Sequence, residues 1–160
     1  MIGWEEIAQG KLDSSTIVQF WTNPQYAEEA VRKGAKILMS PATKVYLDMK
    51  YDSLTKLGQD WAARIELDSA YLWSLSSQVK GILRESILGV EAPLWTETIL
   101  SMDDIEFMVF PRLPGIAEIG WSSEEGRTWE DYRARIGKHG SRMKAMGIDY
   151  YPSKMVDWAK

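Results

Sequence analysis

The chain has 160 residues, 45% of them apolar and 26% charged, with a net charge of −4. This is the composition of a folded globular domain, and an acidic balance with no basic cluster gives no electrostatic support to a phosphate-tracking nucleic-acid role. The absence of cysteine and the single histidine, His139, exclude disulfides, thiolate metal sites and multi-histidine metal sites, and no apolar run approaches the roughly 20 residues of a membrane helix.

Taken in chain order, "MIGWEEIAQG" opens with a short apolar run ending in Trp4, and it lacks the basic and apolar regions of a secretion signal. "TIVQFW" (16–21) is β-branched and apolar and predicts a buried strand. The following "TNPQYAEEAVRKG" predicts a helix, with Asn23 as cap, Pro24 at the first helical position and Gly34 at the stop. "AKILMS" (35–40) predicts the next strand, so strand, helix and strand follow with tight joints, the pattern of a parallel α/β sheet.

"VYLDMKYD" (45–52) reads as extended chain, which puts Tyr46 and Asp48 on one side. The stretch from about 41 to 85 is too long for an ordinary connection and carries Tyr51, Trp61, Tyr71 and Trp73, which favours a functional loop. Tyr71 and Trp73 fit cleft lining and loop packing equally well. "SILGVEAPLW" (86–95) predicts a further strand, with Glu91 pointing inward to a residue outside this chain. Ser101, Asp103 and Asp104 open a helix through "IEFMVFPRL", which Pro111 and Pro114 should kink or divide. Thr128 and Asp131 form a capping-box pattern before a last helix with Tyr132, Ile136 and Met143 on its apolar side. Trp121 and Trp129 read as packing for that helix, His139 as solvated, the eight methionines as core filler, and the tail from Ile148 as extended.

Eight tryptophans and seven tyrosines are a heavy aromatic load for this length. Tryptophan packs cores, and its broad apolar face also stacks on sugar rings. Position separates the two uses. Trp4, Trp21, Tyr46 with Asp48, and Trp95 with Glu97 each follow a successive strand, on the edge where parallel α/β folds bind ligands. One tryptophan there is readily a plug, but four such placements with two carboxylates are harder to explain by packing, because an unpartnered buried carboxylate is costly.

"KILMSPATKVYLDMKYD", "GQDWA", "ILGVEAPLWTETI", "DIEFMVFPRLPGIAEIGWS" and "GIDYYPSK", with "GWEEI" and "VQFW" upstream, together resemble the C-terminal half of the family 20 glycoside hydrolases, the β-N-acetylhexosaminidases. The resemblance implies an α/β fold, a partial (β/α)8 TIM barrel covering roughly strands 5/6 to 8 with their helices. It implies removal of terminal β-linked GlcNAc or GalNAc without metal or organic cofactor. The substrate's own acetamido oxygen would attack the anomeric carbon, an exception to the two-carboxylate scheme. Carried over, Trp4, Trp21 and Trp95 wall the acetamido group, Tyr46 bonds its oxygen, Asp48 and Glu97 hold the outer hydroxyls, and Trp61 stacks on the leaving sugar. Glu5–Glu6 and Glu124–Glu125 are not candidates for the chemistry.

The family's Asp–Glu pair, within a His-x-Gly-Gly-Asp-Glu stretch, has no counterpart in these 160 residues, nor does its hydroxyl-gripping arginine. The resemblance therefore implies that residues 1–160 are the C-terminal half of the catalytic barrel, inactive alone. The implied partners are an N-acetylhexosamine-containing glycan and either the missing N-terminal half-barrel or a second copy, with no nucleic acid and no membrane. A non-catalytic amino-sugar-binding or self-assembling half-barrel module is the alternative.

Overall fold

In the computed structural model, residues 1–159 are described. Four strands, β1 (Ile2–Trp4), β2 (Ile17–Phe20), β3 (Lys36–Met39) and β4 (Ile87–Val90), form a parallel sheet in the order β1-β2-β3-β4. The fold is α/β, as the strand–helix–strand pattern implies. A single 3-10 turn, Glu5–Gln9, joins β1 to β2. Helix α1 (Pro24–Arg32) joins β2 to β3, with the Asn23 side chain accepting from the Gln25 N–H and Gly34 in the left-handed region.

Period-two alternation sorts the two faces of the sheet. Val18, Phe20, Ile37, Met39 and Ile87 are buried, and α1 turns its small residues Ala27 and Ala30 into the same core. Burying each large side chain there contributes about 1.5–3 kcal/mol. The opposite face carries Ile17, Gln19, Lys36 and Leu38, all half-buried. Gln19 and Ser40 donate to the Glu91 carboxylate at 2.8 and 2.9 Å, so Glu91 has partners within the chain.

Between β3 and β4 the chain forms only the short helices α2 (Ala42–Val45) and α3 (Leu67–Tyr71) and a 3-10 turn, Arg84–Ser86. The extended reading of 45–52 is corrected here. The Pro41 carbonyl accepts from the Lys44 and Val45 N–H groups, and the Tyr46 carbonyl accepts from the Met49 N–H, so Tyr46 and Asp48 sit in a turn behind a helical turn. The predicted strand over 86–95 is paired only through Val90.

Helices α4 (Met102–Val109) and α5 (Arg112–Trp121) are divided at Pro111, while Pro114 is accommodated in the first turn of α5, where its missing N–H has no intrahelical partner to lose. Ser101 and Asp104 complete a reciprocal capping box on α4. The predicted last helix is two helices, α6 (Trp129–Lys138) and α7 (Gly140–Ala145), and Thr128 caps α6 while Asp131 pairs with Arg135.

A second core cluster joins Tyr51, Leu67, Tyr71, Met108, Tyr132, Ile136 and Val156. Tyr71 stacks on Tyr132 at 4.1 Å and donates to Glu118, which also takes both arms of the Arg135 fork. Tyr71 and Trp73 are thus packing residues, both buried. Trp129 packs on Tyr132, but Trp121 is 93% exposed, which corrects its reading as packing for the last helix.

Candidate active site

Every strand-end residue singled out in the sequence comes to one cavity of about 400 Å³, lined by Trp4, Trp21, Tyr46, Asp48, Trp61, Trp95 and Glu97, joined by Glu6 and Gln59. Tyr46 is the hub. Its ring lies 6.5 Å from Trp4, 6.5 Å from Trp21 in a near-parallel stack, 6.1 Å from Trp61 and 6.2 Å from Trp95. Trp4, which closes β1, and Trp95, in the segment that follows β4, stand 5.7 Å apart although β1 and β4 are the opposite edges of the sheet. Trp95 and Trp61 are 40% and 55% exposed, so the walls are deepest at Tyr46 and open outward at these two.

Each wall is fixed by local chemistry. Trp21 is held at both ends: Glu5, fully buried, accepts from the backbone N–H groups of Trp21, Thr22 and Asn23 at 2.9, 3.1 and 2.7 Å, and Glu6 accepts from the Trp21 indole N–H at 3.1 Å. Burial pushes the Glu5 carboxyl up, against the three N–H groups that favour its charged form. No motif marks these acids for this role, because Glu5 acts on backbone that lies sixteen residues away. The loop from Lys50 returns to the pocket through Gly58, whose φ is +90° and whose position is so tight that a Cβ would stand 2.6 Å from the Asp48 carbonyl oxygen. The Gly58 N–H donates to the Thr98 hydroxyl, tying Gln59 and Trp61 to the segment of Trp95 and Glu97.

The polar groups are few and placed deep. Burial, with Asp48, Glu91 and Glu5 nearby, pushes the Tyr46 hydroxyl up to about 12, so it remains a proton donor at any ordinary pH. Asp48 is 1% exposed, and neither of its carboxylate oxygens has a hydrogen-bond partner among the described residues. Its pKa is raised chiefly by burial; the N–H groups of Asp48 and Trp95, close to the carboxylate but outside hydrogen-bond geometry, oppose the rise, Glu97 adds to it and the Arg112 charge opposes it. Among the described residues no lysine or arginine lines the cavity. Aromatic walls with hydrogen-bonding carboxylates suit a neutral polyhydroxylated ring and repel phosphates and carboxylates. Among the described residues no group of three or more acidic or histidine side chains could hold a metal ion.

Comparison with known proteins agrees with the geometry. Residues 1–124 match the family described as glycosyl hydrolase family 20, catalytic domain. The chain is 39% identical to a beta-N-acetylhexosaminidase of Cellulomonas fimi over 99% of its own length and 32% of that protein's. It superposes on the GH20 beta-N-acetylhexosaminidase of Streptomyces coelicolor A3(2) with a TM-score of 0.93 and 40% identity, covering 99% of this chain and 33% of that one. A mutant Streptomyces plicatus beta-hexosaminidase in complex with product GlcNAc gives a TM-score of 0.94 at 38% identity, again over 99% and 33%. The chain spans about a third of the length of these relatives. With a family match over more than three quarters of its residues and this pocket at its strand ends, the chain belongs to glycosyl hydrolase family 20.

Proposed function

We propose that this pocket holds the terminal N-acetylhexosamine of a glycan in a β-N-acetylhexosaminidase that works by substrate-assisted, retaining hydrolysis. The observation that carries the reading is Asp48, a buried carboxylate left without a partner inside a cage of tryptophans. Such a group costs stability unless something supplies its hydrogen bonds. A sugar hydroxyl would do so without bringing charge into the site.

In this scheme Trp4, Trp21 and Trp95 wall the acetamido group and exclude other poses, which matters because an amide oxygen is a weak nucleophile that gains rate from being held in line. Tyr46 donates to that oxygen and responds to the charge that develops as the ring closes. Asp48 and Glu97 accept from the outer hydroxyls, and Trp61, the most exposed aromatic of the group, stacks on the leaving sugar. The proton for the leaving oxygen comes from the family's Asp–Glu segment, which these 160 residues do not contain.

The same reading makes residues 1–160 the C-terminal half of a (β/α)8 barrel. The parallel β1-β2-β3-β4 order, with the pocket at the C-terminal side of the strands, supports it. On this reading the partner that completes the enzyme is the polypeptide carrying the other staves. Titration of tryptophan fluorescence with GlcNAc tests the pocket, with quenching abolished by Trp95→Ala as the expected result; an unchanged spectrum at millimolar sugar sinks it. The chain alone should leave a chromogenic GlcNAc β-glycoside uncleaved, and turnover by it would overturn the assignment of the acid elsewhere.

A further inference from the structure

Behind the pocket lies a buried cation that the site as described does not use. Arg112, at the start of α5, is 1% exposed and has no ion-pair partner among the described residues. Its Nη2 donates to the carbonyls of Leu47 and Met108 at 2.5 and 2.7 Å, and its Nη1 to those of Met49 and Ile65 at 2.8 and 3.2 Å. The Tyr51 ring lies 3.9 Å beneath the guanidinium. Two of the four carbonyls belong to the residues on either side of Asp48.

A tie among carbonyls needs donors but not a charge, and burying an uncompensated cation is costly. Asp48 is the matching case, a buried anion without a partner. One peptide unit stands between them. A trans peptide points its C=O and N–H in opposite directions. With the Leu47 carbonyl turned to the guanidinium, the Asp48 N–H is turned away from it, toward the carboxylate whose charged form it favours. The planar fork of arginine can serve Leu47 and Met49 at once, which a lysine ammonium cannot do in the same plane.

We infer that Arg112 is a positioning residue for Asp48: through the Leu47 and Met49 carbonyls it sets the turn that aims the carboxylate into the pocket, with its positive charge on the far side of that turn. The inference rests on the amino-sugar reading only for what Asp48 then grips. Among the described residues the other titratable groups named around Asp48 are Tyr46 beside it and Glu97 and Glu6 on the pocket wall, and Arg112 is the cation among them.

The test is a carboxyl carbon NMR titration of Asp48 in the wild-type chain, Arg112→Lys and Arg112→Gln, run beside GlcNAc binding from pH 4 to 8. In Arg112→Gln the Asp48 midpoint should rise, and GlcNAc affinity should fall about tenfold with its acidic limb moved upward in step. Arg112→Lys should recover the midpoint and only part of the affinity, since it keeps charge and loses the fork. Folded variants in which midpoint and affinity both stay put overturn the inference. A wild-type chain that ignores GlcNAc while its Asp48 midpoint still rises in Arg112→Gln supports the coupling and overturns the amino-sugar reading instead. Should Arg112→Gln not fold, Asp48→Asn gives the reverse measurement: the Arg112 guanidinium resonances should shift, and unshifted resonances reject the coupling.

Discussion

Two aromatic clusters lie within a few residues of each other, one around Tyr46 and one around Tyr51. Both combine stacked rings with a buried charge. Around Tyr51 the polar groups are consumed internally except for the Arg112 Nε: the Tyr51 hydroxyl lies 2.9–3.0 Å from the carbonyls of Phe107, Met108 and Phe110, its ring stacks on Tyr151 at 3.9 Å, and Arg112 above it donates to four carbonyls through its two terminal nitrogens. Around Tyr46 the rings meet at looser separations of 6.1–6.5 Å, and the Asp48 oxygens have no internal partner. Unmet hydrogen-bonding capacity, rather than aromatic content, is what separates a binding surface from a core.

Substitutions can break that contrast from either side. The largest effect belongs to the closed cluster: Arg112→Met leaves several buried carbonyls unsatisfied, each costing about 1–3 kcal/mol, for a total near 3–5 kcal/mol in urea unfolding. In the open cluster Trp95→Ala should hardly move stability, because the ring is 40% exposed. It should weaken GlcNAc binding by about 1–3 kcal/mol, about fivefold to about 150-fold in a fluorescence titration.

Asp48→Asn sharpens the contrast further, since it should stabilise the protein by about 0.5–2 kcal/mol at neutral pH while weakening sugar binding. The sign follows from its raised pKa. The native state holds the Asp48 proton more tightly than the unfolded chain, so its stability contribution is complete below the ordinary carboxylate range and is lost as pH rises through the raised value. Thermal melts of the two proteins should therefore converge in acid and separate toward neutrality; parallel curves would show Asp48 to be compensated in the free protein. Smallest is Trp61→Ala, expected to leave GlcNAc affinity nearly unchanged and to weaken a β-linked GlcNAc disaccharide by about 1 kcal/mol, read by calorimetry.

Much of this was legible in the residues. The β-branched run before Asn23-Pro24 and the glycine at position 34 delimit a strand–helix–strand unit through local rules alone, and those rules hold in the structure. The pocket was legible because a parallel sheet brings strand ends to one edge, whatever the loops do. The turn at Tyr46–Asp48 was not, since alternation in "VYLDMKYD" mimics a strand and only the Pro41 carbonyl, by capturing Lys44 and Val45, winds it up. Glu5 and Arg112 escaped for a shared reason. Each acts on main-chain groups distant in sequence, and a charged residue that serves backbone leaves no side-chain pattern to read.

The meeting of Trp4 with Trp95 carries a practical corollary. Two indoles 5.7 Å apart, tilted at 41°, form an exciton pair whose near-ultraviolet circular dichroism varies with their mutual orientation. Trp4 closes β1 while Trp95 follows β4, so a protein segment that docks beside either strand and shifts one indole against the other should alter that signal. The molecule thus carries its own optical gauge of assembly, readable without attaching a label.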